Sequence, residues 1–127
     1  MIAYVTLGAD DMAAAEQFYT ALLLPLGYRL DHYQGDLSFI PPDGTSAPDL
    51  YIKRPFDGAA ATAGNGTMIA LEAPSQGHVR KLHASAVAAG GSDEGAPGFR
   101  DAYSADFYVA YLRDPQGNKL AVFSTSP

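Results

Sequence analysis

The sequence predicts an α+β protein made of tandem β-α-β-β-β units, which form a curved mixed β-sheet cleft with the helices outside. Three observations carry that prediction. Two helical stripes share one spacing: Ala15, Phe18, Tyr19, Leu22 and Leu23 in the first, and Val79, Leu82, His83, Ala86 and Val87 in the second, are each offset by 64 residues. A short β-rich run precedes each stripe, and the same offset carries Met68 back to Tyr4 and Gly91 to Gly27. Near the end of the chain, apolar residues run into Asp114-Pro115-Gln116-Gly117-Asn118 and out again, which reads as two antiparallel strands around a tight turn.

In order, Ala3 to Leu7 reads as a strand with Ala3, Val5 and Leu7 on one face and Tyr4 and Thr6 on the other. Asp10 is the expected N-cap of the first helix with Asp11 in its first turn, and Pro25-Leu26-Gly27 stops it. Tyr28 to Tyr33, Leu37 to Ile40 and Leu50 to Lys53 read as three further strands, parted by Gln34-Gly35 and by Pro41-Pro42-Asp43-Gly44. Arg54 to Gly66 is rich in Ala, Gly and Pro and reads as a connection between units spanning 1–53 and 67–127 of a single domain. Thr67 to Ala73 is the next strand, Ser75 caps the second helix, and Gly90-Gly91 ends it. A Gly/Pro-rich loop is expected from Gly90 to Gly98, then a strand from about Asp106 to Leu112 and the last strand of the hairpin.

Composition narrows the function classes. The 127 residues contain no Cys, which rules out disulfides, a thiolate nucleophile and Cys-based metal or iron–sulfur sites. Eight Lys+Arg stand against 14 Asp+Glu for a net charge of −6, and the basic residues cluster no further than Lys53-Arg54 and Arg80-Lys81. That balance argues against a nucleic-acid partner. The N-terminus has no basic stretch followed by a long apolar one, and no run approaches the ~20 residues of a membrane span, so a soluble, cytoplasmic protein with no membrane partner is expected.

Strand alternation sorts the side chains by face. Val5, Ile69, Leu120 and Val122 are expected to face the helices, while Tyr4, Thr6, Tyr51, Met68, Ala70, Val109, Tyr111, Ala121 and Phe123 face the cleft. The Asp43-Gly44 turn resembles Gln116-Gly117 and places Tyr51 near the equivalent of Ala121. Of the three His, His83 belongs to the second helix's apolar stripe and is expected to be hydrogen-bonded and partly buried, with His32 and His78 at the surface. A Ser104–His32–Asp106 triad can be drawn on paper, but it lacks a nucleophile elbow and a placed base.

The chain resembles the vicinal oxygen chelate superfamily, the glyoxalase / bleomycin-resistance / extradiol-dioxygenase group. The matching residues are Val5-Thr6-Leu7-Gly8 leading to Asp11, Phe18-Tyr19-Thr20-Ala21-Leu22-Leu23-Leu24-Pro25-Leu26-Gly27-Tyr28, Gly64-Asn65-Gly66-Thr67, Ala73-Pro74-Ser75, Gly95-Ala96-Pro97-Gly98 and Arg113-Asp114-Pro115-Gln116-Gly117-Asn118-Lys119. The resemblance implies that metal-dependent relatives hold one divalent ion through His and Glu side chains on equivalent strands of the two units. Carried onto this chain, the ligand positions fall on Tyr4, Met68 and Ala121, and near Tyr51. A divalent ion of that kind wants neutral imidazole and carboxylate oxygen, whereas Ala cannot coordinate, Met is a soft thioether and a phenol must first lose its proton.

The resemblance therefore implies a metal-independent small-molecule-binding protein of the glyoxalase/bleomycin-resistance type, without a cofactor, working as a homodimer. Its ligand is expected to touch Tyr4, Tyr51, Met68, Tyr103, Tyr111, Ala121 and Phe123, the lining of a pocket in which rings supply contact area and phenols orient the ligand. Arg100, Arg113 and Lys53 are candidate anion contacts at the rim. The alternatives are a glyoxalase- or dioxygenase-like enzyme with a rearranged metal site or tyrosine acid/base chemistry, and a degenerate member serving as a structural or interaction partner.

Overall fold

The computed structural model describes residues 1–127 and contains both predicted units. The first runs through β1 (Tyr4–Gly8), α1 (Met12–Leu23), β2 (Arg29–Tyr33), β3 (Asp36–Ile40) and β4 (Asp49–Lys53). The second runs through β5 (Met68–Glu72), α2 (Gln76–Ala88), β6 (Ser92–Phe99), β7 (Tyr108–Arg113) and β8 (Lys119–Ser124). Each unit has its own four-stranded mixed sheet, ordered β1-β4-β3-β2 and β5-β8-β7-β6, with one parallel pair, β1 with β4 and β5 with β8. No helix is long and apolar enough to cross a membrane.

Register confirms the repeat. Thr6 lies opposite Tyr51 in the first sheet, and Ala70 lies opposite Ala121 in the second, so Tyr51 and Ala121 occupy equivalent places. The helices pack against each other, α1 on β3 and β4 and α2 on β6, β7 and β8. One core of 21 buried residues joins the two units, holding Phe18, Tyr19 and Leu22 of α1, Val79 and Leu82 of α2, and the helix-facing Leu120 and Val122. Val5 and Ile69 pack against its edge. Where the chain passes from α2 into β6 only a glycine fits, since a Cβ at Gly91 would lie 2.5 Å from Phe18 Cε2 and 2.9 Å from the Arg113 carbonyl.

Two expectations need correction. Asp11, not Asp10, caps α1, its Oδ1 accepting from the Ala14 amide at 3.0 Å, while the Asp10 carboxylate accepts from the Ala61 amide at 2.9 Å. Residues expected as a loop from Gly90 to Gly98 instead form β6 from Ser92. β6 is an edge strand whose register shifts at Gly95 and Gly98, and there Pro97 interrupts no central ladder. The connection after Lys53 is pinned as a strap, because Ala61 is buried and its carbonyl accepts from Gln116 Nε2 at 3.0 Å.

The hairpin turn also does more than reverse the chain. Gly117 takes φ +101° and donates to the Asp114 carbonyl, as a tight turn requires. The buried Asp114 carboxylate then accepts from the amides of Gln116 (2.9 Å) and Asn118 (2.8 Å), from Asn118 Nδ2 (2.8 Å), and from the Tyr19 hydroxyl on α1. Asn118 Nδ2 donates as well to the Gly8 carbonyl at 3.0 Å, and Gln116 Oε1 accepts from the Asp10 amide at 2.8 Å. A turn of the second unit is thus bonded to β1, α1 and the strap.

Burial, the neighbouring Asp114 charge and the hydrogen bond to it push the Tyr19 phenol well above its ordinary value of 10.0. Tyr19→Phe removes one charge-assisted bond and is expected to cost about 1.5–3 kcal/mol, read as a lower denaturant midpoint at unchanged slope. The same shift sets a pH dependence. A folded-state pKa above the unfolded one stabilises fully below pH of about 10 and is lost as pH rises toward the folded value. The stability gap between wild type and Tyr19→Phe should therefore hold up to about pH 10 and narrow above it, as measured by denaturant titration at a series of alkaline pH values.

Candidate functional site

Strand geometry sets the starting material for a site. Alternation sends Tyr4 and Thr6 of β1, and Tyr51 and Lys53 of β4, to the sheet face away from the core. Register puts Tyr51 beside Thr6 and diagonal to Tyr4, so the two rings meet with centroids 5.1 Å apart and planes inclined at 36°. Tyr4 remains 60% exposed. The strap from Arg54 to Thr62 passes along this face and walls a groove of about 650 Å³. Two interactions at Ala61 hold the far end of the strap, and Pro55 begins a turn closed by the Gly58 amide donating to the Pro55 carbonyl at 3.1 Å.

Charge in this groove is unevenly committed. Lys53 Nζ pairs with Asp36 at 3.4 Å, and Asp57 Oδ1 accepts from the Ala59 amide in its own turn at 2.9 Å. The Tyr51 hydroxyl reaches Asp49 Oδ2 at 3.5 Å. Arg54 lines the groove without a carboxylate partner, and Phe56 at the turn of the strap is fully exposed.

The open face of the second sheet is built differently. Phe107 stacks on Phe123 at 5.4 Å and Tyr103 packs edge-on against Phe107 at 5.7 Å, so the segment between β6 and β7 covers part of the sheet. Arg100 and Lys119 both approach the Tyr111 ring, at 5.7 and 5.3 Å. Ala121 is 2% exposed and Val109 is wholly buried, outside the helix-side core.

The structure therefore does not gather the seven expected ligand-binding residues into one cavity. Tyr4 and Tyr51 share the groove under the strap. Phe123 lines a second groove of about 470 Å³ between the units, with Val5, Tyr28 and Ile69, where burial pushes the Tyr28 phenol above its ordinary range. Met68 lines a third with Asn65, Arg113 and Lys119, while Tyr103, Tyr111 and Ala121 line none of the three. Of the candidate anion contacts, Lys53 lies in the first groove and Arg113 in the third, where Arg113 Nε donates to Glu94. The strap residues Arg54 and Phe56 escaped the sequence reading because their surroundings have the composition of a linker. A cation and an aromatic ring directly after a strand were the available signal.

The histidines sit apart from these grooves. His83 bonds Asp93 at 3.0 Å with little of its side chain exposed, matching expectation, and His78 bonds Ser75 at 2.7 Å. The Gly95 amide, followed by His83, holds the Asp93 carboxyl below its usual value. His32 bonds Glu16 at 2.8 Å, while Ser104 donates to Asp106 at 2.7 Å, so the paper triad has its acid and hydroxyl but a histidine committed elsewhere. At the four positions where the resemblance implies metal ligands stand two phenols, a thioether and a buried methyl, and nowhere do three His, Asp or Glu side chains converge. That donor set does not fit a divalent ion held by imidazole and carboxylate.

Comparison with known proteins agrees with the architecture. A glyoxalase-like domain model matches residues 4–123. No curated protein matches the chain. Among solved structures, a glyoxalase/bleomycin resistance protein from Albidiferax ferrireducens T118 is 34% identical, with a TM-score of 0.84 and 98% of each chain covered. A glyoxalase/bleomycin resistance protein/dioxygenase family enzyme from Burkholderia phytofirmans PsJN, at 20% identity, TM-score 0.74 and 97% coverage of both chains, shares the fold. So does the lactoylglutathione lyase of Agrobacterium tumefaciens, at 21% identity and TM-score 0.64, covering 98% of this chain and 92% of the other. With the paired four-stranded sheets, the shared helical core and a family match over nearly its whole length, the chain belongs to the glyoxalase-like domain family of the glyoxalase/bleomycin resistance/dioxygenase superfamily.

Proposed function

We propose that this chain is a metal-independent small-molecule-binding protein of the glyoxalase/bleomycin-resistance type, with its ligand seat in the groove between the first sheet and the strap. One observation carries the reading: the Tyr4 and Tyr51 rings, at positions where metal-dependent relatives are expected to place ligating side chains, form an aromatic pair, Tyr4 exposed and Tyr51 half-buried, on the floor of an open groove. Such a floor offers contact area to a planar molecule, and the strap supplies a wall of different chemistry. The relative from Albidiferax ferrireducens, named as a glyoxalase/bleomycin resistance protein, supports the same type.

The neutral aromatic dye N-phenylnaphthylamine tests the seat. Its fluorescence should rise on binding, and Tyr4→Ala combined with Tyr51→Ala should abolish the rise in a protein whose circular dichroism shows it still folded at the assay temperature. Dye binding that survives both substitutions overturns the assignment. Protein purified without chelators should carry no stoichiometric divalent ion by elemental analysis, and exhaustive chelation should leave dye affinity as it was. One tightly bound ion per chain, with binding lost on its removal, sinks the metal-independent reading.

The proposal includes a homodimer. In each sheet the first strand, β1 or β5, keeps one edge unpaired, and the residues expected at one site are spread over separate grooves in the single chain. Light scattering on the purified protein should give about twice the 13.4 kDa of one chain. A mass of one chain at micromolar concentration argues against it.

A further inference from the structure

We propose that the groove under the strap selects planar aromatic ligands carrying an anionic group, with the ring on the Tyr4–Tyr51 pair and the anion at Arg54. The inference rests on the ligand seat proposed above and adds the chemical class of the occupant.

The charged groups of the groove differ in what they are already bonded to. Lys53 is held by Asp36, while Asp57 accepts from the turn amide of Ala59 and keeps its negative charge in the groove. Arg54 lines the same groove with no acidic partner, in a chain whose net charge is −6. An unpaired guanidinium presents a fork of donors that suits a carboxylate, sulfonate or phosphate. The Thr6 hydroxyl, also on the groove and bonded to nothing within the chain, is a second available polar contact.

The apolar side of the groove is equally specific. Tyr4 and Tyr51 present an inclined ring pair rather than an aliphatic surface, which favours a flat π system. Phe56 stands at the head of the strap with its whole side chain in water. Because the strap is closed by the Pro55–Gly58 turn and tied at Ala61, Phe56 is displayed from an anchored segment. It supplies a third ring at the rim, against which the outer face of a bound aromatic can rest. Arg54 and Phe56 flank Pro55, so the anion contact and this third ring come from one short piece of chain.

Isothermal titration with three isosteric probes tests the class: a naphthalene carboxylate, its neutral carboxamide and the corresponding naphthylmethylammonium. The carboxylate should bind at least about fivefold tighter than the amide, and the ammonium weakest. Arg54→Met should remove that preference, lowering carboxylate affinity to the level of the amide and leaving the amide unchanged. Phe56→Ala should weaken carboxylate and amide alike, with the thermal midpoint of either variant within a degree or two of wild type. The inference is overturned if the amide or the ammonium binds as tightly as the carboxylate, or if Arg54→Met leaves the carboxylate's advantage intact. If N-phenylnaphthylamine binds and none of the three probes does, the ligand class falls while the seat stands. If the dye also fails to bind, both fall.

Discussion

The carboxylate of Asp114 is buried, and it is tolerated because every direction around it offers a donor. Two turn amides, the Asn118 side chain and the Tyr19 hydroxyl converge on its two oxygens. A buried carboxylate short of such donors would cost several kcal/mol, so losing one partner leaves a penalty larger than the bond itself. Because Tyr19 belongs to the first unit and the turn to the second, this satisfaction is possible only when the two units are docked. Asn118 reaching Gly8, and Gln116 reaching both Asp10 and the strap, extend the same constraint to the start of α1 and the end of the groove wall. The geometry of the groove and the docking of the units therefore share one set of hydrogen bonds.

The two units share backbone topology and diverge in what covers their open faces. On the first sheet the cover is a strap tied at Ala61 that stands off the strands and leaves the Tyr4–Tyr51 pair accessible. On the second, Phe107 lies directly on Phe123, and two cations crowd Tyr111. Equivalent positions thus acquire different roles. Tyr51 is half-buried at the side of an open groove, while Ala121, its counterpart by register, is sealed.

A methyl at position 121 is read differently once it is placed. In the chain order the resemblance makes it the place where a carboxylate is expected. In the fold it sits 2% exposed between Ala70 and Tyr111 across the sheet. The open face of the other sheet carries the Tyr4–Tyr51 ring pair and, in the strap beside it, an arginine without a carboxylate partner.

Sequence alone determined the periodic features. The offset of the two helical stripes, the alternation along each strand and the turn chemistry of Gln34-Gly35 and Gln116-Gly117 are local properties, and they sufficed for the β-α-β-β-β repeat, the core-facing residues and the equivalence of Tyr51 with Ala121. Edge strand β6 was illegible because glycine and proline, which locally read as loop, are tolerated where a strand has only one ladder to satisfy. The helix cap slipped by one residue because adjacent aspartates are chemically equivalent until one of them is taken by Ala61. What only the tertiary structure decided was which open face stays open, and that Arg54 and Phe56 stand in its wall. Those outcomes depend on contacts between residues more than fifty positions apart, such as Asp10 with Ala61 and Gln116 with Ala61, which carry no periodic signature along the chain.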